Sequence, residues 1–181
     1  MNKNEIELIA KNLVLKFATK EINNGYSLTG LHPYNDNLNN LIYFKIRLKH
    51  LNGKKWIRPF HFNSNTKEWN IGEPNFFNKK PLYRLPALME NPDSEIWILE
   101  GEQKVEALER FSVIGTTSGS CTSLDEANLE PLTGRRIIIW PDNDNSGFAY
   151  AESLTTKLLS LNCIVKWVDG VLPGRVCTQQ Y

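Results

Sequence analysis

EIWILEG (residues 95–101) and RRIIIWPDNDNSG (residues 135–147) are apolar runs that each end abruptly in acidic residues. Short apolar runs bounded by turn residues are typical of buried strands. Glu100 closes the first run, and Asp142 and Asp144 follow the second. Because open α/β sheets bind ligands just outside the carboxyl ends of their strands, we expect these three carboxylates to converge at one sheet edge.

Alternating strand and helix patterns surround these two runs. In the helix after the first run, Val105, Leu108 and Phe111 recur at helical spacing and are expected to form its buried stripe. Strands that alternate with helices build a parallel sheet covered on both faces. Strands are predicted at 95–100, 112–116, 136–141 and 163–168, and helices at 102–111, 146–161 and, as a short element, near 123–129.

The chain begins with a helix pattern. Apolar residues recur at helical spacing between Ile6 and Phe17, and Asn23, Asn24 and Gly25 would end the helix. The polar stretch that follows, HPYNDNLNN, is expected to be a loop.

A β-hairpin pattern comes next. Residues 42–49 alternate apolar and mostly basic side chains, which is the period of a strand with one buried face. Asn52 and Gly53 suit a hairpin turn, and residues 56–62 form the return strand. Pro59 removes a donor from that strand, which predicts an edge position for it.

These patterns predict an α/β fold with a Rossmann-type parallel sheet flanked by helices, preceded by a small N-terminal α+β region of helix plus hairpin. The predicted organisation is an N-terminal basic region with a connector at 1–91, an α/β domain at 92–170 and a tail at 171–181. The length of 181 residues allows one domain with its own core and a smaller region beside it.

The net charge of +1 conceals two halves of opposite sign. Residues 1–90 carry 14 Lys or Arg against 7 Asp or Glu, a charge of +7, whereas residues 91–181 carry 7 against 13, a charge of −6. A basic region favours contact with an anionic polymer, although a hairpin whose solvent face happens to be basic is the simpler alternative. The cations expected to contact a nucleic-acid backbone are Lys45, Arg47, Lys49, Lys54, Lys55, Arg58, Lys79, Lys80 and Arg84.

The acidic residues after the second run favour a hard divalent cation. Asp142 and Asp144 are two residues apart, so in an extended chain both side chains project to the same side, and Glu100 can supply a third oxygen ligand. Such a site suits Mg²⁺, or Mn²⁺, and phosphoryl transfer. DNDNSG also begins like a calcium-binding loop, but its twelfth position is Ser153 and a strand precedes it, which excludes an EF-hand. Ordinary turn and N-cap residues remain an alternative reading of the same string.

Other classes of site find little support. The three cysteines and three histidines lack the paired spacing of a zinc site or a disulfide framework. No apolar run is long enough to cross a membrane, and acidic residues interrupt the start of the chain. A cytoplasmic protein without membrane contact is therefore expected.

EGEQKVEAL, followed some forty residues later by PDNDNSG, resembles the Toprim domain shared by bacterial primases, topoisomerases and several nucleases. The region before it, with Trp69 and LYRLPAL at 82–88, resembles the corresponding part of primases or primase-helicases of phages and mobile elements.

The resemblance implies a role for particular residues. Glu100 matches the family's glutamate, a general acid or base or a metal ligand, and Asp142 and Asp144 match its metal-binding aspartates. Gly101 and Gly147 match glycines that keep the turns open. The loop TTSGSC falls where the family has a loop near the site, which makes Ser118 and Gly119 candidates for phosphate contact.

One departure from the family pattern affects the chemistry. Primase-type members carry an aspartate four residues after the glutamate, and here that residue is Lys104. Replacing a carboxylate by an ammonium removes a ligand and adds a charge that repels a cation.

Two functions follow from these expectations. The first is a stand-alone Toprim protein of a phage or mobile element that binds DNA or RNA and catalyses Mg²⁺-dependent phosphoryl or nucleotidyl transfer. The second is an inactive module of the same fold that binds nucleic acid or a host or element-encoded protein of the replication or defence machinery.

Overall fold

The computed structural model of the chain describes residues 3–119 and 123–168. They belong to two compact units that divide between Asn75 and Phe76. The boundary expected from sequence lay after residue 91, and the difference has a packing reason. Leu82 and Leu88 are fully buried in the hydrophobic core of the second unit, so the segment expected to be a connector is part of that unit.

The first unit is an antiparallel sheet with a helical cover. Its sheet has the order β1-β2-β3-β4. One sheet face, which includes Phe44, Ile46 and Phe60, forms a core with Ala10 and Leu13 of the first helix. The elements are α1 (Lys3–Phe17), α2 (Thr19–Asn23), β1 (Tyr26–Asn35), β2 (Leu41–His50), β3 (Lys55–Asn63) and β4 (Glu68–Ile71).

Two expectations for this unit are wrong. The first half of the polar stretch expected to be a loop completes β1, where Tyr34 stacks on Tyr43 with ring centroids 4.4 Å apart; cross-strand aromatic pairing outweighs the polar composition here. The return strand is also not an edge strand, because β4 pairs with it. That pairing begins at Phe60, so Pro59 lies just beyond the paired residues of β4 and its missing donor breaks no ladder bond to it.

The second unit contains the predicted parallel sheet. Its strand order is β6-β5-β7-β8, and all three pairings are parallel. Side chains such as Ile98, Ile139 and Leu154 form the core between sheet and helices. The elements are α3 (Leu85–Glu90), β5 (Ile96–Leu99), α4 (Glu102–Glu109), β6 (Ile114–Thr116), β7 (Arg136–Trp140), α5 (Asn145–Ser160) and β8 (Ile164–Trp167). The predicted fold class is confirmed.

Two details of the second unit differ from expectation. Residues 124–126 form turns rather than a helix, Ala127 pairs with Lys80 in an isolated bridge, and a single 3₁₀ turn follows at Glu130–Leu132. The stripe expected on α4 is buried only at Val105, since Phe111 lies beyond the end of α4 and is 75% exposed.

The tail expected at 171–181 lies outside the described residues. Within the described ranges, no helix has both the length and the apolar character needed to span a membrane.

Candidate functional site

Adjacent strand ends bring Glu100 and Asp142 to the same edge of the parallel sheet. β5 and β7 are paired in register, with Leu99 opposite Trp140. Glu100 follows Leu99 directly, and Asp142 follows Trp140 after a single proline. The sheet therefore brings the two predicted carboxylates together, as expected from the ends of its strands.

Glu100 is partly buried, and its surroundings favour the protonated form of its carboxyl group. Burial raises the pKa of Glu100, and the nearby negative charges of Asp142 and Asp144 raise it further, while Lys104 and a hydrogen bond from the backbone N–H of Asp142 act in the opposite direction. The Oε1 atom of Glu100 is buried and has no hydrogen-bond partner among the described residues. A buried carboxylate oxygen without a donor is costly, and a cation is one group that would satisfy it.

Asp144 is the N-cap of α5. Its Oδ1 atom accepts a hydrogen bond from the backbone N–H of Gly147 at 2.8 Å. The turn is so tight that a Cβ atom at residue 147 would lie 2.3 Å from the backbone oxygen of Asp142, so only glycine fits there. The capping role left open by the sequence is therefore present, and it engages one oxygen of Asp144.

Asp142 forms an ion pair with Lys104. The Nζ atom of Lys104 contacts Oδ1 of Asp142, and the two side chains are 49% and 35% exposed. Lys104 lies in the first turn of α4, which begins at Glu102 directly after Gly101. The backbone φ of Gly101 is +94°, a conformation that favours glycine. The lysine thus provides the counter-charge to Asp142 from within the chain.

The loop after β6 contacts the turn that follows Glu100. The hydroxyl oxygen of Thr117 accepts hydrogen bonds from the backbone N–H groups of Gly101 at 3.3 Å and Gly119 at 3.0 Å. Ser118, one of the two residues expected to contact phosphate, is 3% exposed, and its hydroxyl is hydrogen bonded to that of Tyr150 at 2.8 Å. The Ser118 side chain therefore supports the loop, whereas Gly119 is partly exposed.

The residues of this edge can provide a limited set of ligands for a divalent cation. In the parts of the chain that the structure describes, no three His, Cys, Asp or Glu side chains form a preformed metal cluster. Mg²⁺ usually binds one or two carboxylates and completes its shell with water and substrate phosphates. Glu100 and Asp142 match that requirement in number, and the Oδ1 atom of Asp142 is the one that contacts Lys104.

The N-terminal sheet places four of the predicted nucleic-acid contacts on one face. In antiparallel pairs, directly opposed residues project to the same side, and the register pairs Lys49 with Lys55, Arg47 with Ile57 and Lys45 with Pro59. We call Lys45, Arg47, Lys49 and Lys55 the basic row. It lies opposite the face that packs on α1, because Ile46 and Leu48 between its members belong to the core.

The members of the basic row differ in exposure. Lys49 and Lys55 are exposed, as is Lys54 in the adjoining turn. The ammonium group of Lys45 lies 5.2 Å from the ring centroid of Tyr34. The Nε atom of Arg47 is buried and lacks a hydrogen-bond partner within the described ranges.

The other predicted cations lie elsewhere. Arg58 is opposite Ile46 and so projects to the helix-covered side, where its guanidinium is 5.6 Å from the Trp56 ring. In the second unit Lys79 is exposed and Lys80 is 4% exposed. Arg84 forms an ion pair with Glu109 of α4. The structure therefore buries Lys80 and pairs Arg84 with a carboxylate of its own unit.

Sequence reasoning missed three residues beside the carboxylates. Thr117 connects the two loops by its hydroxyl group, a role that a threonine after a short strand does not reveal. Trp140 is 39% exposed and Phe111 is 75% exposed. For Trp140 a signal was present, because it directly precedes the proline and aspartate at the end of β7.

Comparison with known proteins gives a likeness of fold. No protein-family model matches the sequence, and no curated protein matches it. Among solved structures, the chain is similar to the crystal structure of the Aquifex aeolicus primase, comprising its zinc binding and RNA polymerase domains. The TM-score is 0.51 at 17% sequence identity, and the match covers 80% of this chain and 34% of that one. The chain thus spans about a third of the primase structure, and at this identity the likeness concerns the fold.

Proposed function

We propose that this protein is a primase-like module of the Toprim type that binds nucleic acid and performs Mg²⁺-dependent phosphoryl transfer at its carboxylate site. The observation that carries the proposal is the meeting of Glu100 and Asp142 at adjacent strand ends, with Asp144 close enough to raise the pKa of Glu100. The fold likeness to a primase supports a role on nucleic acid.

Each group of residues has a separate role in the proposed function. Glu100 and Asp142 would hold the cation, and Asp144 shapes the turn through its cap. Bound Mg²⁺ would polarise a phosphate group and stabilise the charge that develops on it. Burial raises the pKa of Glu100, so its carboxyl group holds a proton to a higher pH than an exposed glutamate would, and a bound cation would have to displace that proton. The basic row would attract the nucleic-acid backbone.

Calorimetric titration with Mg²⁺ and Mn²⁺ tests the metal site. We expect the wild type to bind and Asp142→Asn to lose most of that binding, because the substitution removes a ligand charge. Asp144→Asn retains a side-chain oxygen that can cap α5. Any change in cation affinity in this variant therefore comes from the lost charge and not from an unfolded helix. Asp125→Asn is the matched control, since Asp125 is an exposed carboxylate paired with Lys157 in the same unit. Equal binding by wild type and Asp142→Asn would contradict the proposed site.

A second function is favoured by the ion pair between Lys104 and Asp142. If the lysine stays in place, it neutralises the aspartate and the protein binds nucleic acid without turnover. Mg²⁺-dependent cleavage or extension of an oligonucleotide by the wild type, lost in Glu100→Gln, would establish the catalytic function. Retained oligonucleotide binding without conversion in the presence of Mg²⁺ would establish the non-catalytic one.

A further inference from the structure

A cavity of about 590 Å³ lies beside the carboxylate site, between α4 and the end of β7. Cavities of roughly 300–1,000 Å³ are the size range of small-molecule sites in proteins. All of its lining residues belong to the second unit and to the described part of the chain. The cavity is therefore a property of one compact unit.

The walls of the cavity are apolar and partly aromatic. Lys104, Ala107 and Leu108 line it from one face of α4, and Phe111 lines it from the turn just after that helix. Phe111 is 75% exposed. These side chains leave an apolar surface beside the carboxylates open to solvent.

A second aromatic side chain is held in a defined orientation. Trp140 lines the cavity and is 39% exposed. Its ring packs edge to face on Trp97, with centroids 6.0 Å apart and planes at 60°. This contact restricts the indole, so that the cavity offers a positioned aromatic surface rather than a mobile one.

The rim of the same cavity is polar. Lys104 supplies N–H donors, Asp142 and Asp144 supply carboxylate oxygens, and Asn143 supplies both a donor and an acceptor. A planar group with apolar faces and a hydrogen-bonding edge matches this division. An aliphatic chain would form no hydrogen bonds with the polar rim. A nucleobase has both features, and any of the bases can stack on an aromatic side chain.

We propose that this cavity is a nucleobase subsite. The proposal rests on the nucleic-acid function proposed above and names the part of the polymer that the carboxylate edge receives. A base seated between α4 and β7 would bring its attached sugar to the rim formed by Asp142 and Asn143. The same subsite would accept the base of a free nucleoside or an unstacked base of a single strand.

Adenosine is the probe that isolates the subsite, because it carries a base and no phosphate that the basic row could attract. Binding is measured by equilibrium dialysis in the absence of divalent cations. We expect saturable binding to the full chain, roughly tenfold weaker binding to Phe111→Ser because a stacking partner is removed, and none to Ala107→Phe, whose larger side chain enters the cavity. Ala107 and Phe111 are exposed, so neither substitution disturbs the core.

Phe77→Ser is the matched control. Phe77 is fully exposed in the same unit and does not line the cavity, so this variant should bind adenosine as the wild type does. Absence of saturable binding to the wild type would overturn the proposal, and so would equal affinity of wild type and Phe111→Ser. Reversible self-association of the wild type in sedimentation, abolished by Phe111→Ser and accompanied by no adenosine binding, would identify the cavity as a contact between copies instead.

A parallel measurement with a short single-stranded oligonucleotide separates this proposal from the proposed function. Oligonucleotide binding without adenosine binding would refute the subsite and leave the nucleic-acid function standing. Adenosine binding without oligonucleotide binding would support the subsite and refute the proposed binding of a nucleic-acid polymer. If both bind, displacement of adenosine by the oligonucleotide identifies a base of the strand as the occupant, and simultaneous binding identifies a free nucleoside; both results support the subsite.

Discussion

Lys104 and Asp142 form an ion pair just beyond the end of β7, so the charge of Asp142 is already neutralised within the chain. The departure at residue 104 is visible in the sequence, which predicts repulsion of a metal ion. The direct pairing with Asp142 is not visible there, because it depends on the direction in which α4 leaves the sheet. That direction is set by Gly101, whose positive φ turns the chain.

Lys104→Asp should therefore tighten Mg²⁺ binding. The substitution releases Asp142 and adds a carboxylate, and even a single unit charge at 4 Å contributes about 1–4 kcal/mol between water and a protein surface. We expect at least roughly tenfold higher affinity by calorimetry, with Lys104→Met intermediate because it removes the charge without adding a ligand. Lys157→Asp serves as control, since it breaks a different ion pair. Unchanged affinity in Lys104→Asp would show that residue 104 does not affect the cation.

The elements that form the carboxylate edge follow directly from the sequence. β5 and β7 are uninterrupted apolar runs, and α5 has both a cap and a buried stripe, so each is defined by its own residues. The elements that were missed depend on partners. β4 is only four residues long and forms by pairing with β3, and β1, for which no strand was predicted, forms by pairing with β2. Local composition does not contain that information.

The connection between β1 and β2 depends on Asp36. Its Oδ1 atom accepts hydrogen bonds from the backbone N–H groups of Leu38 at 2.9 Å and Asn40 at 2.8 Å. The side chain and backbone of Asn40 lower the pKa of Asp36 below its ordinary value of 3.8. Because the folded state prefers the carboxylate, the stabilisation is present above the ordinary pKa and is lost as the pH falls through the lowered value.

Asp36→Ala should lower the thermal midpoint at pH 7, and the difference from wild type should shrink as the pH falls through the pKa of Asp36. Thermal unfolding followed by circular dichroism between neutral and acid pH measures both effects. Asp36→Asn keeps an acceptor but loses the charge, so it should be less destabilised and its difference from Asp36→Ala should not vary with pH. A difference between wild type and Asp36→Ala that is constant with pH would contradict a role for the charge.

The exposed lysines at the turn between β2 and β3 make a separate prediction about nucleic acid. Changing Lys49, Lys54 and Lys55 together to Gln should weaken binding and flatten its salt dependence, by up to about 0.9 in logarithmic slope for each phosphate of duplex DNA that is no longer neutralised. The matched control changes three cations of the helical cover, Lys11, Lys16 and Lys20, to Gln. Fluorescence anisotropy at several salt concentrations gives both slopes. Equally weakened binding in the two triple variants would mean that net charge, rather than the position of Lys49, Lys54 and Lys55, drives binding.

At the scale of the whole chain, each unit has a hydrophobic core of its own. The fold class could be predicted because the two halves have different periodicities. The boundary between them could not, since Leu82 and Leu88 lie in a stretch without a clear period and join the second core only in three dimensions. The likeness to a primase over 80% of this chain concerns both halves.

The position of the boundary predicts how fragments behave. A fragment of residues 76–181 should fold, whereas a fragment of residues 92–181 should not, because it lacks Leu82, Tyr83 and Leu88, all of which are 2% exposed or less. Burying a side chain of this size contributes about 1.5–3 kcal/mol, so the loss is comparable with the stability of a small domain. Urea denaturation of the two fragments measures it. Equal stability of the two fragments would show that the boundary lies after residue 91, as expected from the sequence.

The hydroxyl group of Thr117 gives the carboxylate edge a reporter that does not depend on activity. Because one oxygen accepts from the amides of both Gly101 and Gly119, the hydrogen exchange of these two amides records how often the loops beside Glu100 open. Thr117→Val, which has the same shape without the hydroxyl, should accelerate exchange at both glycines in an NMR time course while amides in the middle of β7 remain protected. A ligand that binds in the cavity or at the carboxylates and holds these loops closed should slow hydrogen exchange at the same two amides. Binding can therefore be followed before any reaction is known.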